Sequence, residues 1–139
     1  MKHILCFGDS NTWGYSPQDG SRFPIDIRWT GVLQKTLGSN YRIIEEGLNG
    51  RTTFINEEGE DARPSRSGSD FFPTILESHR PLDLVTIMLG SNDLKLEYAY
   101  LTSGKRLMKF NLEFFKEDLI TKSKNEIQII NKLETKDSE

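Results

Sequence analysis

Three short apolar runs, each closing at or just before a glycine, constrain what this chain can fold into more than any other feature. Ile4, Leu5, Cys6 and Phe7 lead into Gly8; residues 41–45, carrying Ile43 and Ile44, stop before Gly47; residues 82–89, with Leu84, Val85, Ile87, Met88 and Leu89, stop at Gly90. Runs that are apolar without alternation suit strands covered on both faces, the condition of a parallel sheet. A glycine at the end marks the turn out of the sheet. Between the first two runs, Trp29, Val32, Leu33 and Leu37 recur at helical spacing and Gly38 follows as a stop, which predicts an amphipathic helix over 28–37. Residues 47–81 read as mostly loop with a short helix over 71–77. The order strand, helix, strand, helix, strand implies right-handed crossovers and a doubly wound α/β sheet.

With 139 residues, the chain reads as one domain, large enough for a single sheet flanked by helices. Its two parts differ in character: residues 1–100 hold all five Pro and ten of the eleven Gly, whereas residues 101–139 hold seven of the ten Lys. In that lysine-rich end, Met108, Leu112, Phe115 and Leu119 predict a helix over 105–122. Residues 126–130 alternate weakly and read as a fourth strand in preference to a further helical turn. A net charge of −3 argues against nucleic acid or an anionic membrane as partner, since both need a concentrated basic face. No stretch approaches the 18 apolar residues of a membrane span, and the apolar run at residues 4–7 is too short for a signal peptide. The single cysteine, Cys6, excludes an internal disulfide; it reads as a plain buried thiol, and a reducing cytoplasm is the expected compartment.

Three turns follow the carboxyl ends of the predicted strands, at residues 8–13, 47–53 and 90–94, where open α/β sheets place their ligand sites. Ser10 lies in the first. A serine in a tight turn just past a buried strand is presented at the mouth of the sheet, which suits a nucleophile. The oxyanion formed on attack needs preorganised donors, and the Ser10 backbone N–H, the Gly50 backbone N–H and the Asn92 side-chain amide are candidates from the three turns. Asp9 reads as a turn-holding residue rather than a base, because short Asp side chains bond nearby backbone N–H groups.

Taken together, Gly8-Asp9-Ser10-Asn11-Thr12-Trp13-Gly14, Glu45-Glu46-Gly47-Leu48-Asn49-Gly50-Arg51-Thr52-Thr53 and Leu89-Gly90-Ser91-Asn92-Asp93 resemble three successive blocks of the GDSL/SGNH hydrolases. Arg28-Trp29-Thr30-Gly31-Val32-Leu33 resembles the arylesterase and acyltransferase branch of that family. The resemblance covers residues 1 to about 95. It implies a flavodoxin-like three-layer α/β/α fold with strand order 2-1-3-4-5, and serine-dependent hydrolysis or acyl transfer of small carboxylic esters without cofactor. By matching position it makes Ser10 the nucleophile, Ser10, Gly50 and Asn92 the oxyanion hole, and Asp9 and Asp93 supporting residues.

One block of the family is missing. Its last motif, Asp-x-x-His, supplies the general base and the acid that orients it, and the chain contains no such pattern. Of the two histidines, His3 opens the first strand, at the end of the sheet opposite Ser10. His79 precedes the third, about 25 Å along the strand from Asn92 at 3.3 Å per residue. The expected molecule is thus an esterase shortened before its triad base, with an incomplete sheet and weak activity at most. The alternative is a catalytically impaired remnant that binds a ligand or partner in the retained cleft, and an uncompleted sheet could also drive homo-oligomerisation. The acidic run at residues 57–61 reads as solvated rather than metal-binding. Arg63, Arg66 and residues 65–69 read as an exposed loop. Trp13 either walls an acyl pocket beside Ser10 or simply packs.

Overall fold

A computed structural model describes residues 1–56, 64–94 and 128–131. The elements in chain order are β1 (Lys2–Gly8), α1 (Ser10–Trp13), α2 (Trp29–Leu37), β2 (Tyr41–Gly47), α3 (Gly68–Ser78), β3 (Leu84–Met88), a 3-10 turn (Asn92–Leu94) and β4 (Gln128–Asn131). The strands form one parallel sheet in the order β2-β1-β3-β4. The fourth strand expected near residues 126–130 is therefore present, paired in parallel with β3. The helix expected over 105–122, the acidic run at 57–61 and Arg63 lie outside the described residues.

Strand β1 is central, and both of its faces are buried from Ile4 to Gly8, which is why its sequence is apolar without alternation. Leu5 and Phe7 share a face with Val85 and Ile87, their register partners on β3. On that face they pack with Phe72 and Leu76 of α3 and with Leu89, and Ile44 of β2 extends the cluster. The Phe7 and Phe72 rings meet at a centroid distance of 4.9 Å. The residues between them in sequence face the other way. Ile43 and Glu45 of β2 meet α2, through Gln34 and Thr30 respectively. Helices α2 and α3 thus lie on opposite faces, giving the three layers with strand order 2-1-3-4 that the resemblance implies.

Several boundaries differ from the sequence expectation, for physical reasons. Helix α3 begins at Gly68, three residues before the expected start, because Gly68 N–H and Ser69 N–H donate to the carbonyls of Thr52 and Thr53 at 3.0 and 2.9 Å. A distant loop thus caps a segment whose own Gly-Ser-Asp composition reads as turn. Strand β3 is shorter than residues 82–89: Asp83 N–H bonds His3 O at 2.9 Å before the ladder begins, and Leu89 leaves the sheet while staying in the core. Val32, expected on the apolar stripe of α2, is 47% exposed, and the buried positions are Thr30 and Gly31. Trp29, Leu33 and Leu37 of that stripe are partly buried, and polar residues join them on the inward face where α2 meets an edge strand. Gln34 donates to Tyr41 O at 2.9 Å and accepts from Ile43 N–H at 2.9 Å, satisfying backbone groups that no neighbouring strand pairs. Among the described residues no helix is long and apolar enough to cross a membrane.

Candidate active site

The first loop is shaped by Asp9. Its carboxylate accepts from Asn11 N–H at 2.9 Å and from the Asn11 side-chain amide at 3.1 Å, while its carbonyl accepts from Thr12 N–H and Trp13 N–H. The expected loop at residues 8–13 is therefore wound into a single helical turn, α1, with Asp9 as its N-cap. Asp9 is 1% exposed, and burial pushes its carboxyl above the ordinary value against the opposing pull of the Asn11 bonds and Arg51. Ser10 is the first residue of the turn, half-buried, so its N–H has no intrahelical partner. Close approach of α1 to the end of β2 depends on Gly47, where a Cβ would stand 2.2 Å from Trp13 N.

Second in the chain comes the loop after β2, which is tied to the first. Leu48 N–H donates to Gly8 O at 3.1 Å, and Arg51 N–H closes a turn onto Leu48 O at 3.0 Å. Gly50 sits third in that turn with φ +76°, the left-handed value that a type II turn demands there. In such a turn the N–H of the third residue belongs to the central peptide, outside the closing hydrogen bond. The Arg51 side chain, 4% exposed, folds back beneath the loop: its Nη1 donates to Gly8 O at 2.9 Å and to Glu46 O at 2.5 Å, and its guanidinium carbon lies 4.1 Å from the centroid of the Phe7 ring. Burial lowers its pKa to about 10, with Glu46 and Asp9 pulling the other way, so it is charged at neutral pH.

The third loop, after β3, is tied to the second at two points. The Asn92 amide donates one hydrogen to Arg51 O at 2.9 Å, which leaves its other hydrogen for a ligand. Asp93 is 2% exposed and accepts from Thr53 N–H at 3.0 Å and from the Thr53 hydroxyl. Burial raises the Asp93 carboxyl above the ordinary carboxylate value, Asp9 adds to the rise, and the Thr53 bonds offset part of it. Asp93 is a strut between loops.

Ser10, Gly50 and Asn92 therefore stand on three loops joined in one hydrogen-bonded network at the carboxyl ends of β1, β2 and β3. Neither histidine joins that network through Ser10. His3 is held at the amino end of the sheet, its N–H on the Asp83 carboxylate at 2.7 Å and its Nδ1 3.0 Å from Pro81 O. His79 is the C-cap of α3, and its Nε2 lies 2.7 Å from Glu46 Oε1. That pairing was not foreseen, because nothing in a lone helix-end histidine names its partner.

Two further groups escaped the sequence reading. Arg51 lies within a recognised block, yet nothing in its neighbours says that the guanidinium is buried rather than solvated. Glu45 gathers the Thr30 hydroxyl, Arg28 at 3.1 Å and Arg22 at 3.4 Å. Arg22 in turn donates to Trp13 O at 2.7 Å and lies 5.1 Å from the Trp13 ring centroid. Trp13, three residues after Ser10 on α1, is thus braced by a cation from the connecting segment.

The chain matches the model of the GDSL-like lipase/acylhydrolase family over residues 6–132. Among solved structures it is similar to a carbohydrate acetylesterase family member from Sinorhizobium meliloti, with 38% identity and a TM-score of 0.79 over 94% of this chain and 62% of that one. It is also similar to the aryl esterase of M. smegmatis, with 39% identity and a TM-score of 0.77 over 93% of this chain and 63% of that one. The chain thus spans less than two thirds of the length of either structure. No curated protein sequence matches it.

Proposed function

The chain belongs to the GDSL-like lipase/acylhydrolase family, and from that premise we propose that it carries the nucleophile and the oxyanion-binding half of a serine carboxylic ester hydrolase site. The observation that carries this reading is the hydrogen-bonded joining of the three loops that bear Ser10, Gly50 and Asn92. In the proposed reaction the Ser10 Oγ attacks the ester carbonyl carbon, its proton passing to water or to an external base. The carbonyl oxygen takes up the electron pair and is met by Ser10 N–H, Gly50 N–H and the second hydrogen of the Asn92 amide. Collapse expels the alkoxide, which takes a proton, and water or an acceptor alcohol then cleaves the acyl-serine. Asp9 and Asp93 support this arrangement as cap and strut rather than as acids. The neighbours' substrates suggest short acyl esters of sugar or aryl alcohols, and a lone buried thiol suits a reducing cytoplasm.

These 139 residues bring no imidazole to Ser10 in this reading, since His3 and His79 are engaged elsewhere. A hydrolase without its triad base retains an acceleration of about 10³–10⁴ over water from binding and the oxyanion hole. Slow hydrolysis of p-nitrophenyl acetate is expected, and because this residual rate comes from binding and the oxyanion hole it should fall about 10²-fold in Asn92→Ala. A rate unaffected by Asn92→Ala would overturn the oxyanion-hole assignment, and a rate matching that of complete esterases would overturn the absence of a base. The same engagement of both histidines favours one alternative, a module that binds an ester or partner without turning it over. Failure of a fluorophosphonate to modify Ser10 would favour that alternative.

A further inference from the structure

We propose that Arg51 is a positioning residue for the oxyanion hole, acting by locking the turn that presents the Gly50 N–H; this rests on the ester hydrolase reading above. The turn Leu48-Asn49-Gly50-Arg51 has glycine in its third place, and glycine leaves the central peptide free to rotate between the type II and type I arrangements. Rotation of that peptide would reverse the direction of the Gly50 N–H, and with it the donor that the proposed oxyanion hole takes from this loop. What prevents it must act on the turn's ends, and Arg51 holds them at four points. Its N–H closes the turn on Leu48 O. Its Nη1 bridges Gly8 O and Glu46 O, the last carbonyls of β1 and β2 before their closing residues or loops. Its own carbonyl receives the Asn92 amide, so the second side-chain donor of the hole is oriented by the same residue. The Phe7 ring beneath the guanidinium fixes its plane.

Both carbonyls are met by the one terminal nitrogen Nη1, whose two hydrogens are held in the plane that stacks on the Phe7 ring, and lysine has no planar group to be fixed there. Arg51 therefore couples the end of the strand preceding the nucleophile to both remaining donors. Nothing in the resemblance to known blocks assigns it this task.

The test compares the wild type, Arg51→Lys and Arg51→Ala in two measurements. The first is fluorophosphonate modification of Ser10, followed by intact mass and resolved into kinact and KI. A fall in kinact of about tenfold or more in both variants, with KI unchanged, is expected from a disordered oxyanion donor. Unchanged kinact, or wild-type kinact in Arg51→Lys, would overturn the proposal. The second is amide hydrogen exchange: residues 48 and 51 should exchange faster in Arg51→Ala while Leu5 and Phe7 keep their protection. Unchanged exchange at 48 and 51 would overturn the proposal by itself. If wild-type Ser10 takes no label, the hydrolase reading fails and exchange alone judges the lock. Should neither variant fold, the wild type still decides: slow exchange of the Arg51 guanidinium protons supports the bridge, and fast exchange refutes it.

Discussion

Asp93 is buried to 2% exposure and held by Thr53, and the cost of taking a carboxylate out of water is met there by an N–H and a hydroxyl from one residue of another loop. Asp93→Ala removes the acceptor those donors use and should cost about 1–3 kcal/mol, read as a lowered urea midpoint at unchanged slope. Asp93→Asn keeps an acceptor and should cost less at neutral pH. A variant that is as stable as the wild type after truncation to alanine would show that the strut does not bear on folding. Cys6 illustrates the opposite kind of residue. Its thiol has no exposure, and burial pushes its pKa up, so the plain buried thiol read from an apolar run is what the fold contains. Both readings rest on residue type, but only Cys6 was legible. An apolar setting announces itself in neighbouring sequence positions, whereas the donor that satisfies Asp93 is 40 residues away.

The strands were legible at the scale of elements because continuous apolar runs ending at glycine have few other readings, while the pairing order β2-β1-β3-β4 matches the one that the family resemblance implies. Helix starts were less so. The first turn of α3 takes its partners from Thr52 and Thr53, and α1 forms on the cap of Asp9, so each depends on an acceptor rather than on periodicity. The burial of α2 read from apolar spacing holds in part, with Trp29, Leu33 and Leu37 partly buried, but contact with an edge strand also turns Thr30 and Gln34 inward and leaves Val32 outside. Element contacts also set a sharp test at Gly47. An alanine there places a methyl 2.2 Å from Trp13 N and 2.6 Å from Thr12 C, both backbone atoms of α1. Gly47→Ala should cost about 1–3 kcal/mol in chemical denaturation by overpacking, and it should slow modification of Ser10 because α1 must move. Wild-type stability and labelling would show that α1 shifts without consequence.

Across the whole molecule, burial of Asp9 and Asp93 beneath the same three loops gives stability a pH dependence. Both carboxyls titrate above their ordinary value of 3.8 in the folded state, so between that value and the raised one the folded protein binds more protons than the unfolded chain. Stability from this pair is therefore highest at the acidic side of the window and falls as pH rises through the folded pKa values. Urea midpoints measured from pH 4 to 7 should decline less steeply in an Asp9→Asn, Asp93→Asn double variant than in the wild type. Identical slopes would remove these two carboxyls as the source.

By itself the sequence determined the parallel strands, the loops that carry Ser10, Gly50 and Asn92, and the family, because these are properties of short contiguous segments: apolar runs, glycine turns and local blocks. Only the tertiary structure decided that Asp93 braces against Thr53, that His79 meets Glu46, and that Arg51 lies buried across two strand ends and over Phe7. Those outcomes turn on which polar group finds a partner tens of residues away, and in a buried setting that partner, rather than the residue's own type, determines whether a charge can remain.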